Sequence, residues 1–221
     1  MTETIVSPSI LSGDFANMGK SVEDVKTWGG DWVHCDVMDG VYVTNLTFGM
    51  PMVQALKKRT DLPLDVHLMI DKPERYVKRF VEAGANLVTF HPEASAEPIE
   101  TLRIIKESGA KCGIAFNPNV PVEEYGYLID YCDIVVIMTV FAGYGGQKLI
   151  PECLEKVGKV KQIAERLGKE IYIEVDGGVT EENSADVRNA GANVLVAGSA
   201  VFRQASPAAV IKEMRILSER G

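Results

Sequence analysis

The sequence predicts an α/β chain folded as one single-domain (β/α)8 barrel, a TIM barrel, over residues 1–221. Three observations predict it. Eight short apolar segments of strand length alternate with segments whose apolar residues recur at three- and four-residue spacing. A glycine-centred phrase recurs ahead of three of those strands. No linker or low-complexity stretch interrupts the alternation, so βα periodicity covers the chain. An open doubly wound sheet is the alternative, but it usually has fewer strands.

In chain order the predicted strands are Thr4–Ser9, Trp32–Val37, Leu64–Met69, Leu87–Phe90, Lys111–Phe116, Ile134–Met138, Ile171–Asp176 and Val194–Ala197. Amphipathic stretches between them read as helices. The clearest runs from Pro151 to Leu167, with Leu154, Val157, Val160, Ile163, Ala164 and Leu167 on one face. Pro151 suits its first turn and Gly168 its C-terminal cap. Thr180 followed by Glu181 and Glu182 opens another helix, and Ser206-Pro207 opens the last. The recurring phrases are Gly29-Gly30-Asp31-Trp32, Ala83-Gly84-Ala85-Asn86 and Ala190-Gly191-Ala192-Asn193. In each, glycine ends a helix in a left-handed conformation and the chain turns into the next strand.

Composition sets the class. At 46% apolar and 24% charged residues, the chain reads as a soluble globular protein. Its longest apolar runs are strand-sized, far short of the ~18 residues of a membrane span, so no membrane partner is expected. Met1-Thr2-Glu3-Thr4 carries no basic segment followed by an apolar one, which predicts a cytoplasmic protein. Cys35, Cys112, Cys132 and Cys153 form no CxxC pair and read as reduced thiols. A formal charge of −8 argues against nucleic acid as a partner. An anionic ligand would have to be drawn in by local dipoles or a metal rather than by the overall field. Oligomeric state stays open, a homo-oligomer included.

Chemistry gathers at the strand ends, where such barrels carry their sites. His34-Cys35-Asp36, Asp65-Val66-His67 and Glu174-Val175-Asp176 each lie toward the end of a predicted strand. Residues two apart on a strand share a face, so His34 and Asp36 aim at one point, with His67 and Asp176 joining from neighbouring walls. Two imidazoles and two carboxylates there make a divalent-metal site, with the carboxylates also placed to move protons. Glu174 shares the parity of Asp176 and reads as a partner to a ligand histidine. A Glu174 satisfied elsewhere is the competing reading. His91, beside Pro92, reads as a hydrogen-bonded core histidine within possible reach of the site. Met38, Met69 and Met138 form an apolar wall beside the reacting centre, and also pack the barrel.

Glycine supplies a second constellation. Gly143, Tyr144, Gly145 and Gly146 follow the sixth strand, Gly177 and Gly178 the seventh, and Gly198 with Ser199 the eighth. Adjacent loops of this kind offer backbone N–H groups to a phosphate.

At these residues the chain resembles the ribulose-phosphate 3-epimerase family. The matching stretches are Pro8-Ser9-Ile10-Leu11, His34-Cys35-Asp36-Val37-Met38-Asp39-Gly40, Asp65-Val66-His67-Leu68-Met69, Met138-Thr139-Val140, Gly145-Gly146-Gln147, Val175-Asp176-Gly177-Gly178 and Gly198-Ser199. They occur in order and span nearly the whole chain. The resemblance implies that His34, Asp36, His67 and Asp176 bind one divalent ion and that Asp36 and Asp176 are the acid/base pair. It implies that Ser9 and His67 contact the sugar, and that Gly143–Gly146, Gly177, Gly178, Gly198 and Ser199 hold the phosphate end. Zn²⁺ suits the ligand set, with Fe²⁺, Mn²⁺ or Co²⁺ as alternatives. The implied reaction interconverts D-ribulose 5-phosphate and D-xylulose 5-phosphate through an enediolate, an isomerase step of carbohydrate metabolism in the pentose phosphate pathway.

Departures from the family pattern cluster in two loops. Phe141-Ala142-Gly143-Tyr144 stands where Asn-Pro-Gly-Phe is usual, and Thr44 where proline is usual. Losing both prolines loosens the loops. A ketohexose 6-phosphate such as D-allulose 6-phosphate is therefore the alternative substrate. A non-catalytic sugar-phosphate-binding barrel is a distant one, disfavoured because both aspartates are present. A decarboxylase of the orotidine-phosphate type would need a lysine in the Asp-x-Lys-x-x-Asp run, and the strand His34-Cys35-Asp36-Val37-Met38-Asp39 has none.

Overall fold

The computed structural model describes residues 4–220. Among them, eight parallel strands form the sheet: β1 (Ile5–Pro8), β2 (Val33–Met38), β3 (Leu64–Met69), β4 (Leu87–Phe90), β5 (Lys111–Phe116), β6 (Ile134–Met138), β7 (Tyr172–Asp176) and β8 (Val194–Ala197). The helices are α1 (Met18–Thr27), α2 (Met50–Lys57), α3 (Val77–Glu82), α4 (Pro98–Glu107), α5 (Val122–Tyr125), α6 (Leu154–Leu167), α7 (Ser184–Ala190), α8 (Ser199–Phe202) and α9 (Pro207–Arg220). The spatial order β1-β8-β7-β6-β5-β4-β3-β2 brings the first two strands to the same seam. A parallel bridge between Ser9 and His34 joins them there and closes the barrel.

Strand parity sorts the side chains. On β2 and β3, Val33, Cys35, Val37, Leu64, Val66 and Leu68 belong to the core between sheet and helices. The interior floor is apolar, made by Trp32 and by Leu87, Ile134 and Val194 of β4, β6 and β8. Alternate strands thus fill one interior layer, the packing that leaves the strand ends free for chemistry.

Predicted and observed strands coincide for β3, β4, β5, β6 and β8, and differ by a residue at one or both ends for β1, β2 and β7. The three recurring helix-end glycines, Gly29, Gly84 and Gly191, adopt φ of 85°, 115° and 118°. Gly168 caps α6 in the left-handed conformation, and Pro151–Cys153 forms a 3-10 turn ahead of that helix. Two helix expectations need correction. Leu167, the last residue of α6, is 43% exposed and does not share the buried face of Val157, Val160 and Ala164. Thr180 does not open α7: Glu181 and Glu182 lie in a turn, Asn183 Oδ1 accepts the Thr180 N–H, and the helix begins at Ser184. No described helix is long and apolar enough to cross a membrane.

Candidate active site

His34, Asp36, His67 and Asp176 meet at the C-terminal end of the barrel, with one donor atom from each lying within 4.8 Å of the others. β2 contributes His34 and Asp36, β3 contributes His67, and β7 contributes Asp176. His34 Nε2 lies 3.4 Å from Asp36 Oδ1 and 3.7 Å from Asp176 Oδ2. His67 Nδ1 lies 3.7 and 3.8 Å from the same two oxygens. These two nitrogens are buried and have no hydrogen-bond partner. Tetrahedral ligands at zinc-like bond lengths sit about 3.4 Å apart, so the spacing and the orphaned nitrogens both fit a divalent ion.

The strand ends are tied down locally. Thr47 Oγ1 donates to the Asp36 carbonyl at 2.6 Å and accepts the Met38 N–H at 3.0 Å. The Thr139 N–H and hydroxyl both donate to the Asp176 carbonyl. Ser9 Oγ donates to Asp36 Oδ2 at 2.5 Å across the β1/β2 seam. His34 is held from behind: its Nδ1 lies 2.7 Å from Asp65 Oδ2 and 3.4 Å from Glu174 Oε1. The hydrogen-bonded partner of His34 is thus Asp65 and not Glu174, the residue the sequence suggested, whose two carboxylate oxygens are buried without a hydrogen bond.

Charge in this cage is strongly skewed. Burial alone would lower the pKa of His34, but the carboxylates of Asp36, Asp65 and Glu174 outweigh it and hold the imidazole well above its usual value. Burial would raise Asp36, yet His34 and His67 pull it well below the carboxylate range. Burial, then the charge of Asp36, lifts Asp176 to about 7. Burial and neighbouring Asp65 push Glu174 well up. An acidic, dry cage of this kind favours a positive occupant.

A cavity of about 740 Å³ opens above the cluster. Ser9, Asp36 and Asp176 reach it, and Met38, Met69 and Met138 form part of its wall. Gly143, Tyr144, Gly145, Gly146, Gly177, Gly178, Gly198 and Ser199 line the same cavity, so the two predicted constellations share one space. His34 and His67 lie behind this lining, fully buried. Arg203, beyond α8, also lines the cavity and carries no signal in the glycine motifs. Over the mouth, Thr44 Oγ1 lies 2.5 Å from Tyr144 Oη, and Asn45 Nδ2 donates to the Gly143 carbonyl at 3.0 Å. Phe141 is 55% exposed on the cavity rim. His91 is not isolated from the cluster, because its Nε2 lies 2.9 Å from His67 Nε2.

A (β/α)8 barrel with paired carboxylates and imidazoles below a glycine-lined cavity has the layout of a barrel enzyme whose chemistry sits at the strand ends. Comparison narrows it: residues 5–202 match the model of the ribulose-phosphate 3 epimerase family, and the chain belongs to that family. The ribulose-phosphate 3-epimerase of Bacillus subtilis (strain 168) is 48% identical over 211 residues, covering 95% of this chain and 97% of that one. That of Escherichia coli (strain K12) is 44% identical over 216 residues, covering 97% and 96%. The protein is accordingly a carbohydrate epimerase, an isomerase. Among solved structures, 3-hexulose-6-phosphate synthase from Salmonella typhimurium superposes with a TM-score of 0.73 at 18% identity, covering 98% of this chain and 99% of that one. At that identity the likeness concerns the barrel alone.

Proposed function

We propose that the protein interconverts D-ribulose 5-phosphate and D-xylulose 5-phosphate, one carboxylate taking the proton from carbon 3 on one face and a second delivering a proton to the opposite face. The observation that carries this reading is the pairing of Asp36 and Asp176 around one gap with two unpartnered imidazole nitrogens. Inverting carbon 3 of a ketose phosphate requires proton removal from one face and delivery to the other. Two carboxylates flanking a flat enediolate do this without the sugar turning over. With an ion held between them, both carboxylates would stay ionised until one accepts the carbon 3 proton. Which aspartate serves which face is a property of the pair.

His34, Asp36, His67 and Asp176 are the residues that would hold a divalent ion, with Zn²⁺ favoured by the nitrogen and oxygen donors and Fe²⁺, Mn²⁺ or Co²⁺ as alternatives. When bound, such an ion stabilises negative charge developing on the substrate oxygens by several kcal/mol. Ser9, through its bond to Asp36, orients that carboxylate and faces the sugar. Met38, Met69 and Met138 keep water from the reacting carbon. The loops at Gly143–Gly146, Gly177–Gly178 and Gly198–Ser199 would cradle the phosphate, helped by Arg203 on the cavity wall.

A ketohexose 6-phosphate such as D-allulose 6-phosphate is the second reading, favoured by Thr44 and Phe141 on the loops over the mouth. The deciding experiment follows carbon 3 by NMR in D₂O with metal-loaded protein. D-Ribulose 5-phosphate turning into its epimer with deuterium at carbon 3 supports the first reading. Turnover confined to D-allulose 6-phosphate supports the second, and exchange with neither overturns both.

A further inference from the structure

His67 turns only one ring nitrogen toward the cluster, and its other nitrogen ends on a second histidine. His67 Nε2 and His91 Nε2 are 2.9 Å apart, and both residues are fully buried. Ring nitrogens this close need one proton between them, since two lone pairs or two N–H groups would repel. A ligand nitrogen must be bare. If Nδ1, the unpartnered nitrogen facing Asp36 and Asp176, is the ligand atom, the His67 proton sits on Nε2. His91 Nε2 then accepts it, and neutral His91 carries its own proton on Nδ1.

The surroundings of His91 suit that tautomer. Its Nδ1 lies 3.6 Å from Glu93 Oε1. Asn117 Nδ2 is also near, at 3.3 Å, but its two hydrogens have acceptors in Tyr42 Oη at 2.6 Å and Glu93 Oε1 at 3.3 Å. The Tyr42 hydroxyl donates to Glu93 Oε1 at 2.7 Å, and its ring lies against His91 with centroids 4.8 Å apart. His34 is oriented differently, by a carboxylate. A neutral acceptor behind His67 avoids adding another negative charge to a cage that already holds four carboxyl groups.

We propose that His91 is a positioning residue: by accepting the His67 Nε2 proton it fixes the tautomer and ring plane in which His67 presents Nδ1 to a divalent ion, and Glu93 with Tyr42 fixes His91. The proposal rests on the metal reading given above. It also ties the buried ligand to the loop after β2, because Tyr42 belongs to that loop.

The test strips the full-length protein with a chelator and titrates Co²⁺, reading affinity and the visible absorption of the bound ion. His91→Phe, which removes the acceptor, should bind about 10–100-fold more weakly with an altered spectrum. His91→Gln, whose side-chain carbonyl still accepts, should recover most of the loss, and Glu93→Gln should fall between. In Zn²⁺-loaded wild-type protein, ¹⁵N spectra of the imidazoles should show protonated Nε2 on His67 and protonated Nδ1 on His91, a readout that survives if His91→Phe does not fold. Wild-type affinity in His91→Phe, or a metal-loaded His67 protonated at Nδ1, overturns the proposal. Wild-type protein that takes up no Co²⁺ overturns the metal reading itself, an outcome distinct from uptake indifferent to His91.

Discussion

Asp36 and Asp176 share the reacting space and face the same two histidines, but the Ser9 hydroxyl donates to the Asp36 carboxylate whereas Thr139 holds only the backbone carbonyl of Asp176. If each serves one face of carbon 3, removing one leaves half a reaction. Asp176→Asn and Asp36→Asn, assayed at saturating metal, should each lower kcat by about 10²–10⁴-fold. In D₂O each variant should still exchange the carbon 3 proton of one epimer, and the two variants should differ in which epimer that is. Exchange of the same epimer by both would remove the two-base assignment. The cysteines offer a simpler residue-scale expectation. Cys35, Cys112, Cys132 and Cys153 are free and buried. Burial raises each thiol, Cys112 to about 11, so thiolate is scarce at neutral pH. An aromatic disulfide reagent at pH 7.5 should label none of the 4 thiols in native protein and all of them in guanidinium. Rapid labelling of the native protein would mean that the helices open readily from the sheet.

At the scale of the elements, the loops after β6 and β7 depend on glycine for close approach. Gly178 has φ of +69°, and a Cβ there would lie 2.3 Å from the Leu149 backbone nitrogen. Gly168 at the end of α6 has a similar φ of +65° but open space around it. Gly168→Ala should therefore cost about 1 kcal/mol in denaturant unfolding, the strain alone. Gly178→Ala should cost roughly 2–3 kcal/mol and raise KM as well, because the loops must part beside the cavity. Equal costs would show that the approach of the two loops carries no energy. The same elements mark what sequence can and cannot convey. The parity of His34 and Asp36 is a local property of β2, and so are the glycine endings of α1, α3 and α7; all were readable. The partner of His34 was not. Asp65 and Glu174 both face inward, and the β2–β3 register that pairs His34 with Asp65 is a tertiary fact. His91 follows the last residue of β4, so its contact with His67 depends on how β3 and β4 align, with His67 opposite Thr89. Arg203 reaches the cavity from the C-terminal cap of α8, a placement set by how that short helix sits over the strand ends.

The whole barrel has one thin seam. β2 and β3 pair through six residues and β1 and β8 through four, whereas β1 and β2 meet through the Ser9–His34 bridge, the Ser9–Asp36 hydrogen bond and, at the strands' lower end, two hydrogen bonds between Val6 and Asp31. The site lies across this closure: His34 and Asp36 stand on its β2 side, and Asp176 approaches from β7, beyond β1 and β8. A divalent ion held by the four residues would bind β2 and β3 to β7 and so staple the barrel where its backbone pairing is weakest. Ion binding to the folded state alone stabilises it by about 2.7 kcal/mol at a hundredfold excess over Kd. For a chain of this size 1 kcal/mol moves Tm by about 2–4 °C. Adding Zn²⁺ or Co²⁺ to stripped protein at that excess should therefore raise Tm by about 5–10 °C. Amide exchange at Ser9 and His34 should slow more than exchange in β4 and β5, which lie away from the seam. Asp176→Asn should lose most of the rise in Tm while leaving the Tm of the stripped protein near or above that of wild type, since it removes a charge from a cage crowded with carboxylates. A Tm indifferent to the ion would place the metal outside the closure, and uniform protection across the strands would mean that the ion stabilises the barrel without stapling its seam.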